Sequence, residues 1–134
     1  MKKITVIAML LMSFCIGCGM NKPELAKSKE LIEKLMIDLK SENYQNLNQY
    51  YTDSFNEGQP LDLKTDKYKK LKEALGTIES YEFEVSKENN TIENLPALDL
   101  TYMVKYSRIP VKFMFNIIKD EGKYKITFQN IESK

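Results

Sequence analysis

The chain has 134 residues, 43% of them apolar and 29% charged, with a formal net charge of +1, two cysteines and neither histidine nor tryptophan. This composition bounds it to a single domain of ordinary globular make-up. Without histidine, the usual general acid/base, the commonest metal ligand and the base of Ser/His and Cys/His pairs are absent together, which excludes most familiar catalytic designs.

Lys2 and Lys3 form a short positive segment ahead of an apolar run over residues 4–14 that is interrupted only by Thr5 and Ser13, with the small residues Gly17 and Gly19 beyond it. This is a secretory signal pattern. A membrane-spanning helix needs about 20 apolar residues, and here Gly17, Gly19, Asn21, Lys22 and Pro23 intervene first. The stretch Cys15-Ile16-Gly17-Cys18 resembles the bacterial lipobox, in which a small residue precedes a cysteine that is acylated through sulfur and becomes the N-terminus after cleavage. Ile16 and Gly17 fit that pattern. Cys15 stands where the family usually has leucine, and Phe14 is too large to precede a cleavage at Cys15. The competing pattern, cleavage by the general signal peptidase, calls for a small-x-small site, and none stands in the right place.

The resemblance implies a signal peptide over residues 1–17, a lipidated Cys18 carrying palmitate-type chains, a short tether over residues 18–22 and a folded domain over residues 23–134. One acyl chain alone holds a protein to a membrane only marginally, whereas the two or three of a bacterial lipoprotein make the attachment permanent. Both cysteines are then used in export and anchoring, so the mature domain has no disulfide and no thiolate nucleophile. Taking 17 residues from 134 leaves 117, and losing Lys2 and Lys3 turns 20 basic side chains into 18 against 19 acidic ones, a net charge of −1. That balance lacks the basic patch that nucleic acid requires. From Cys18 to Pro23 the extended chain reaches only about 15 Å, which keeps the domain close over the bilayer.

Within the mature chain, helical signals come first. Over residues 23 to about 41, Leu25, Ile32, Leu35, Met36 and Leu39 share one face, with Lys27, Lys29, Glu30, Glu33, Lys34 and Lys40 mostly on the other. Pro23 suits the first turn of this helix. After Ser41-Glu42-Asn43, the residues Tyr44, Leu47, Tyr50, Tyr51 and Phe55 predict a shorter second helix, ended by the loop Gly58-Gln59-Pro60. A third helix is expected from about Asp66, with Thr65 as N-cap and Gly76 as C-terminal cap. Lys64, Lys67, Lys69, Lys70 and Lys72 crowd it, and Asp62, Asp66 and Glu73 among them favour a solvated face over a membrane-binding one.

Beyond Gly76 the period becomes two. Residues 78–86 place Tyr81, Phe83 and Val85 on one face and Glu82, Glu84 and Ser86 on the other. Residues 88–97 read as an exposed loop. Leu98, Leu100, Tyr102, Val104 and Tyr106 alternate in a second strand, and Val111, Phe113, Phe115 and Ile117 in a third that opens with Pro110. Asp120-Glu121-Gly122 predicts a hairpin turn into a fourth strand with Tyr124, Ile126 and Phe128 alternating.

Helices followed by an antiparallel meander predict an α+β layer architecture, N-terminal helices packed on a curved four-stranded sheet. This order resembles the NTF2-like, cystatin-like fold, and more narrowly the small bacterial envelope lipoproteins of that superfamily with domains of unknown function. The local pieces carrying the resemblance are Ser41-Glu42-Asn43-Tyr44, then Tyr50-Tyr51-Thr52-Asp53-Ser54-Phe55, Leu75-Gly76-Thr77-Ile78 and Gly122-Lys123-Tyr124-Lys125-Ile126. The resemblance implies a pocket between the concave sheet face and the helices, which in some relatives is the site of an isomerase or dehydratase.

Tyr81, Tyr102 and Tyr106 share a strand face with Phe83, Phe113 and Phe115, which makes them the candidate lining of such a pocket, while an ordinary tyrosine-bearing core is the plainer expectation. Asp99, Glu82 and Glu84 alternate outward, Asp99 beside Thr101 and Lys105, and read as a solvated sheet face. No cofactor, no metal site and no catalytic constellation is expected. The reading is a non-catalytic envelope lipoprotein that binds a protein, a peptide or a small apolar ligand, with a pocket enzyme and a purely structural component as alternatives. Its partners are the bilayer, through acylated Cys18, and an envelope protein or peptide reached in part through an open sheet edge. It lies on the outer membrane if the envelope has two, because Gly19 is not the aspartate that signals inner-membrane retention, and otherwise on the outer face of the plasma membrane.

Overall fold

A computed structural model describes residues 22–133. The expected signal segment and Cys18, the expected lipidation position, lie outside the described residues. Helix α1, Leu25–Lys40, buries Ile32, Leu35, Met36 and Leu39 of the stripe read from the sequence, together with Ser28, whose hydroxyl donates to the Glu24 carbonyl at 2.7 Å. Leu25, expected in the same stripe, is exposed in the first turn, ahead of the part of the helix that the sheet covers. Pro23 is buried just ahead of the helix instead of in its first turn. The chain leaves α1 through Glu42, whose left-handed φ of 59° lets the Asn43 amide close on the Asp38 carbonyl at 2.8 Å.

The expected second helix is two pieces. A 3-10 helix covers Tyr44–Tyr50 and α2 covers Asp53–Gly58. Between them, Tyr51 bridges Ile126 in parallel, and the Thr52 amide donates to the Ile126 carbonyl at 2.9 Å. The edge of the sheet supplies a main-chain partner here, and that contact overrides the helical stripe. Thr52 then caps α2 by accepting the Phe55 amide at 3.2 Å.

Helix α3, Leu61–Leu75, begins five residues earlier than Thr65 and Asp66 predicted, because Pro60 presents its carbonyl to the Lys64 amide at 3.1 Å and starts the helix itself. It stops at Gly76, whose φ of +92° is open to glycine and costly for other residues. The turn over residues 107–109 caps that end: the Arg108 amide donates to the Leu75 carbonyl, and its guanidinium donates to the carbonyls of Glu73 and Ala74.

Four strands follow, β1 Ile78–Asn90, β2 Pro96–Tyr106, β3 Pro110–Asp120 and β4 Lys123–Ser133, paired antiparallel in sequence order. The architecture is the expected α+β one, helices laid on a curved, unclosed meander. The loop predicted over residues 88–97 shrinks to a turn over residues 91–95. Asn89 and Asn90 continue the ladder opposite Ala97 and Pro96, since main-chain pairing needs no apolar side chain. At the β3–β4 hairpin, read from the sequence as Asp120-Glu121-Gly122, Asp120 ends β3 and positive φ at Glu121 and Gly122 makes a two-residue turn.

Three irregularities decide which side chains share a face. Two lie in β1, between Ile78 and Ser80 and between Phe83 and Val85, and the third lies between β3 and β4, where Asn116 pairs with Phe128 but Ile117 with Ile126, leaving Thr127 of β4 as the extra residue. Each inserts one residue and reverses the alternation beyond it. Val85 and Phe128, both expected with the core, therefore stand on the opposite face, 54% and 61% exposed.

The inner face packs against α1, the 3-10 helix and α3. Leu100, Tyr102, Val104, Phe113, Phe115, Ile117 and Ile126 close it with Ile32, Leu35, Met36 and Leu47, and the aromatic rings meet edge-on or tilted. No helix among the described residues is long and apolar enough to cross a membrane.

Candidate binding trough

The three tyrosines named as a pocket lining belong to the core. Tyr102 is fully buried between Phe83 and Phe115, and its hydroxyl lacks a hydrogen-bond partner among the described residues. Burial pushes its pKa up. Tyr81 is half-buried at the border of the core. Tyr106 is buried and borders a crevice of ≈ 30 Å³ beside Tyr44 and Tyr68, about one water in size.

A second polar group of the interior lies under the β4 edge. The Tyr51 hydroxyl donates to Gln129 Oε1 at 2.6 Å, Gln129 Nε2 donates to the Tyr68 hydroxyl at 2.6 Å, and the two hydroxyls meet at 3.1 Å. The ring satisfies each buried group in turn. Burial raises the pKa of both tyrosines.

Lys64, read from the sequence as part of a solvated face, is 3% exposed. Its ammonium lies over the rings of Tyr51 and Phe55, which stack on each other, and donates to Asn48 Oδ1, Asn56 Oδ1 and the Gln59 carbonyl at 2.6–2.7 Å. All three protons are used, which fixes α2 against α3 and the 3-10 helix. Burial lowers its pKa to about 8. The helical spacing places position 64 on the inward side of α3 once that helix starts at Leu61, a signal lost when the helix is begun at Asp66.

A concavity with room for a ligand lies on the outer face. A trough of ≈ 1210 Å³ runs across all four strands, from the β1–β2 turn to Thr52, Asp53 and Ser54 beyond β4. Two cross-strand rows form its floor: Lys87, Asp99, Asn116 and Phe128, and beside them Thr101, Met114 and Asn130. The solvated sheet face expected around Asp99 is thus a built surface. Asn116 is 8% exposed, and its amide donates to Asp99 Oδ1 at 2.6 Å, while the Asn89 amide donates to Asp99 Oδ2 at 2.8 Å. Both carboxylate oxygens already accept a hydrogen. Ala97 and Ile118 are buried on this same face, so the sheet curls around the trough near the hairpin end.

Chemically the trough offers amide and hydroxyl groups at strand spacing, an apolar floor of Met114 and Ile118, and one broad exposed ring, Phe128. Five carboxylates (Asp53, Glu93, Asp99, Asp120, Glu121) line it against two ammonium groups (Lys87, Lys119), a balance that disfavours anionic ligands. Glu82 and Glu84 are exposed outside it. Among the described residues no three carboxylates converge as a metal site would require.

Sequence reasoning missed the trough because its ring, Phe128, was counted with the core. The readable signal was the polar run at alternate positions, Asp99 and Thr101 in β2 and Asn116 in β3, which a merely solvated face would have filled with longer charged side chains. Comparison with known protein families and with curated proteins gives no match to this sequence.

Proposed function

We propose that the chain is a non-catalytic binding protein of a bacterial cell envelope, anchored to the membrane through acylated Cys18, that holds an extended neutral or basic protein segment in the trough of its outer sheet face. The observation that carries the reading is the row Lys87, Asp99, Asn116 and Phe128, a clamped polar ladder ending in an exposed aromatic ring. A peptide laid across the strands meets amide donors and acceptors for its main chain and an apolar platform for one side chain, the combination that marks binding sites. The acid surplus of the walls suits a partner carrying lysine or arginine.

A non-catalytic role is supported by the state of the one carboxylate in the floor. A general base must be free to take a proton within hydrogen-bond reach of the substrate, and each oxygen of Asp99 is already engaged by an amide. The NTF2-like and lipobox resemblances support the anchoring and the envelope location.

The test is site-specific photocrosslinking in the anchored protein. A photoreactive phenylalanine at position 128 is expected to give a discrete protein adduct that disappears with Asn116→Leu, whereas the same probe at exposed Leu63 on α3 gives none. Identical adducts from both positions would refute the binding role of the trough. The anchor is tested separately: acyl labelling that survives Cys18→Ala would refute the lipobox.

A further inference from the structure

The tether and one hairpin leave the fold at the same end. At the start of the described chain, Lys22 Nζ is 2.6 Å from Glu88 Oε1 near the end of β1, and the Glu24 amide donates to the Tyr124 hydroxyl at the start of β4 at 3.0 Å. These contacts fix the entry of the chain beside the β1–β2 and β3–β4 turns, opposite the β2–β3 turn that carries Ile109.

The turn over residues 91–95 is built without its apolar side chains. The Thr91 amide and hydroxyl pair with the Leu95 carbonyl and amide at 3.0 and 3.1 Å, the Asn94 amide donates to the Thr91 carbonyl at 2.9 Å, and Asn94 takes the left-handed φ of 64°. Ile92 has no part in this network, yet it is fully exposed at the tip, and Leu95 beside it is 44% exposed. Turn geometry explains Thr91 and Asn94, while Ile92 and Leu95 border the hairpin end of the trough and still present apolar surface to solvent.

From the geometry we infer that the tip of the β1–β2 hairpin docks on the lipid surface to which the chain is tethered, with Ile92 and Leu95 entering the interface. The inference rests on the anchor at Cys18. From Cys18 to Lys22 the extended chain spans at most about 14 Å, and from Glu88 to Asn90 the strand rises about 7 Å toward the same end, with the turn that carries Ile92 beyond it. The tip therefore reaches the level of the acylated residue when the tether is bent rather than fully extended. The attraction is apolar: Glu93 at the tip and Lys87, Glu88, Asp120, Glu121 and Lys123 around it leave no basic excess for anionic headgroups. So docked, the sheet stands upright on the bilayer and the trough opens sideways, accessible to a partner moving along the membrane.

The chain lacks tryptophan, so a single introduced indole reports its own surroundings. Residues 18–134, which contain every described residue, are coupled through the Cys18 thiol to a maleimide lipid in phosphatidylcholine vesicles, with Ile92→Trp or Ile109→Trp. The same indole at both sites has the same intrinsic affinity for the interface, so the difference between them reads orientation.

The expected result is blue-shifted emission at position 92, with most of it lost to lipids brominated on the acyl chain, and solvent-like emission at position 109. Solvent-like emission at both positions, or equal quenching at both, overturns the docking. Quenching at 92 that needs anionic lipid and vanishes with salt also overturns it, since headgroup attraction then replaces apolar insertion. The mass of the protein from its native membrane reads the anchor independently: an acylated Cys18 with a solvent-exposed tip refutes the docking alone, while an unmodified Cys18 refutes the tether on which it rests.

Discussion

The two faces of the sheet are made from alternate residues of the same four strands, yet they do opposite work. The inner face presents Leu100, Val104, Phe113, Phe115 and Ile117, all buried against helices and satisfied by packing. The outer face presents Asp99, Thr101, Asn116 and Phe128, which form the floor of a trough closed at one end by the start of α2. One step along a strand separates a residue that holds the fold together from one free to meet a ligand. Stability should therefore track the first set and binding the second.

The sharpest break of that contrast is on the inner side. Phe113→Ala empties a site with no exposure at the centre of the core, and urea denaturation is expected to show a loss of about 3–5 kcal/mol. Gly76→Ala comes next. A Cβ there would lie 1.8 Å from Ser107 Oγ, which accepts the Thr77 amide, and the φ of +92° disfavours any side chain. A loss of about 2–3 kcal/mol is expected, with the junction of α3 and the sheet weakened while the trough is intact.

Titration separates two parts of the inner side. Burial lowers the Lys64 pKa to about 8 from the ordinary 10.5, so between those values the unfolded chain binds more protons than the folded one. Stability then rises with pH across that window and is lost again as pH falls through about 8, on the order of 2 kcal/mol. The tyrosines act in the other direction: burial and the Asp38 carboxylate hold Tyr50 up to about 12, and burial raises Tyr51, Tyr68 and Tyr106. Their contribution is complete below about pH 10 and declines above it. Urea midpoints measured from pH 7 to 11 should pass through a maximum near pH 10, and Lys64→Met should remove the rising limb but retain the falling one. A flat wild-type profile between pH 8 and 10 would contradict the buried ammonium.

On the outer side the largest effect falls on the polar ladder. Asn116→Ala leaves Asp99 Oδ1 without its amide donor in a half-buried position, and a cost of about 1–2 kcal/mol is expected. Asn89→Ala, at an exposed hydrogen bond to the other oxygen, should cost less, since water replaces the lost donor. Equal losses in the two variants would mean that the trough floor is wetter than its burial implies.

Much of the fold was legible because its cause is local periodicity. The stripe Ile32, Leu35, Met36 and Leu39 of α1, the alternation of β2 and the Glu121-Gly122 turn follow from spacing and from backbone freedom. What escaped depends on contacts between distant segments. Tyr51 and Thr52 leave a helical pattern because the edge of β4 offers them a carbonyl partner, and α3, started by the Pro60 carbonyl at the Lys64 amide, carries Lys64 inward to acceptors on Asn48 and Asn56. The trough was hidden for a sharper reason. An inserted residue changes the face of every side chain beyond it but leaves composition and apparent alternation intact, so Phe128 read as core after Tyr124 and Ile126.

That misreading supplies the finest test of the contrast between the faces. If Phe128 belonged to the core, Phe128→Ser would destabilise the protein by several kcal/mol, as Phe113→Ala should. On the outer face, with 61% of it in solvent, its loss is expected to change the urea midpoint by no more than about 0.5 kcal/mol. Capture of a partner through the trough should nevertheless fail, because the ring is the broadest apolar surface on the floor and the serine hydroxyl cannot replace it. Binding lost with stability retained would place Phe128 wholly on the side of function. A large loss of stability would mean that the bulge does not hold in solution, and that β4 keeps the unbroken alternation its sequence suggests.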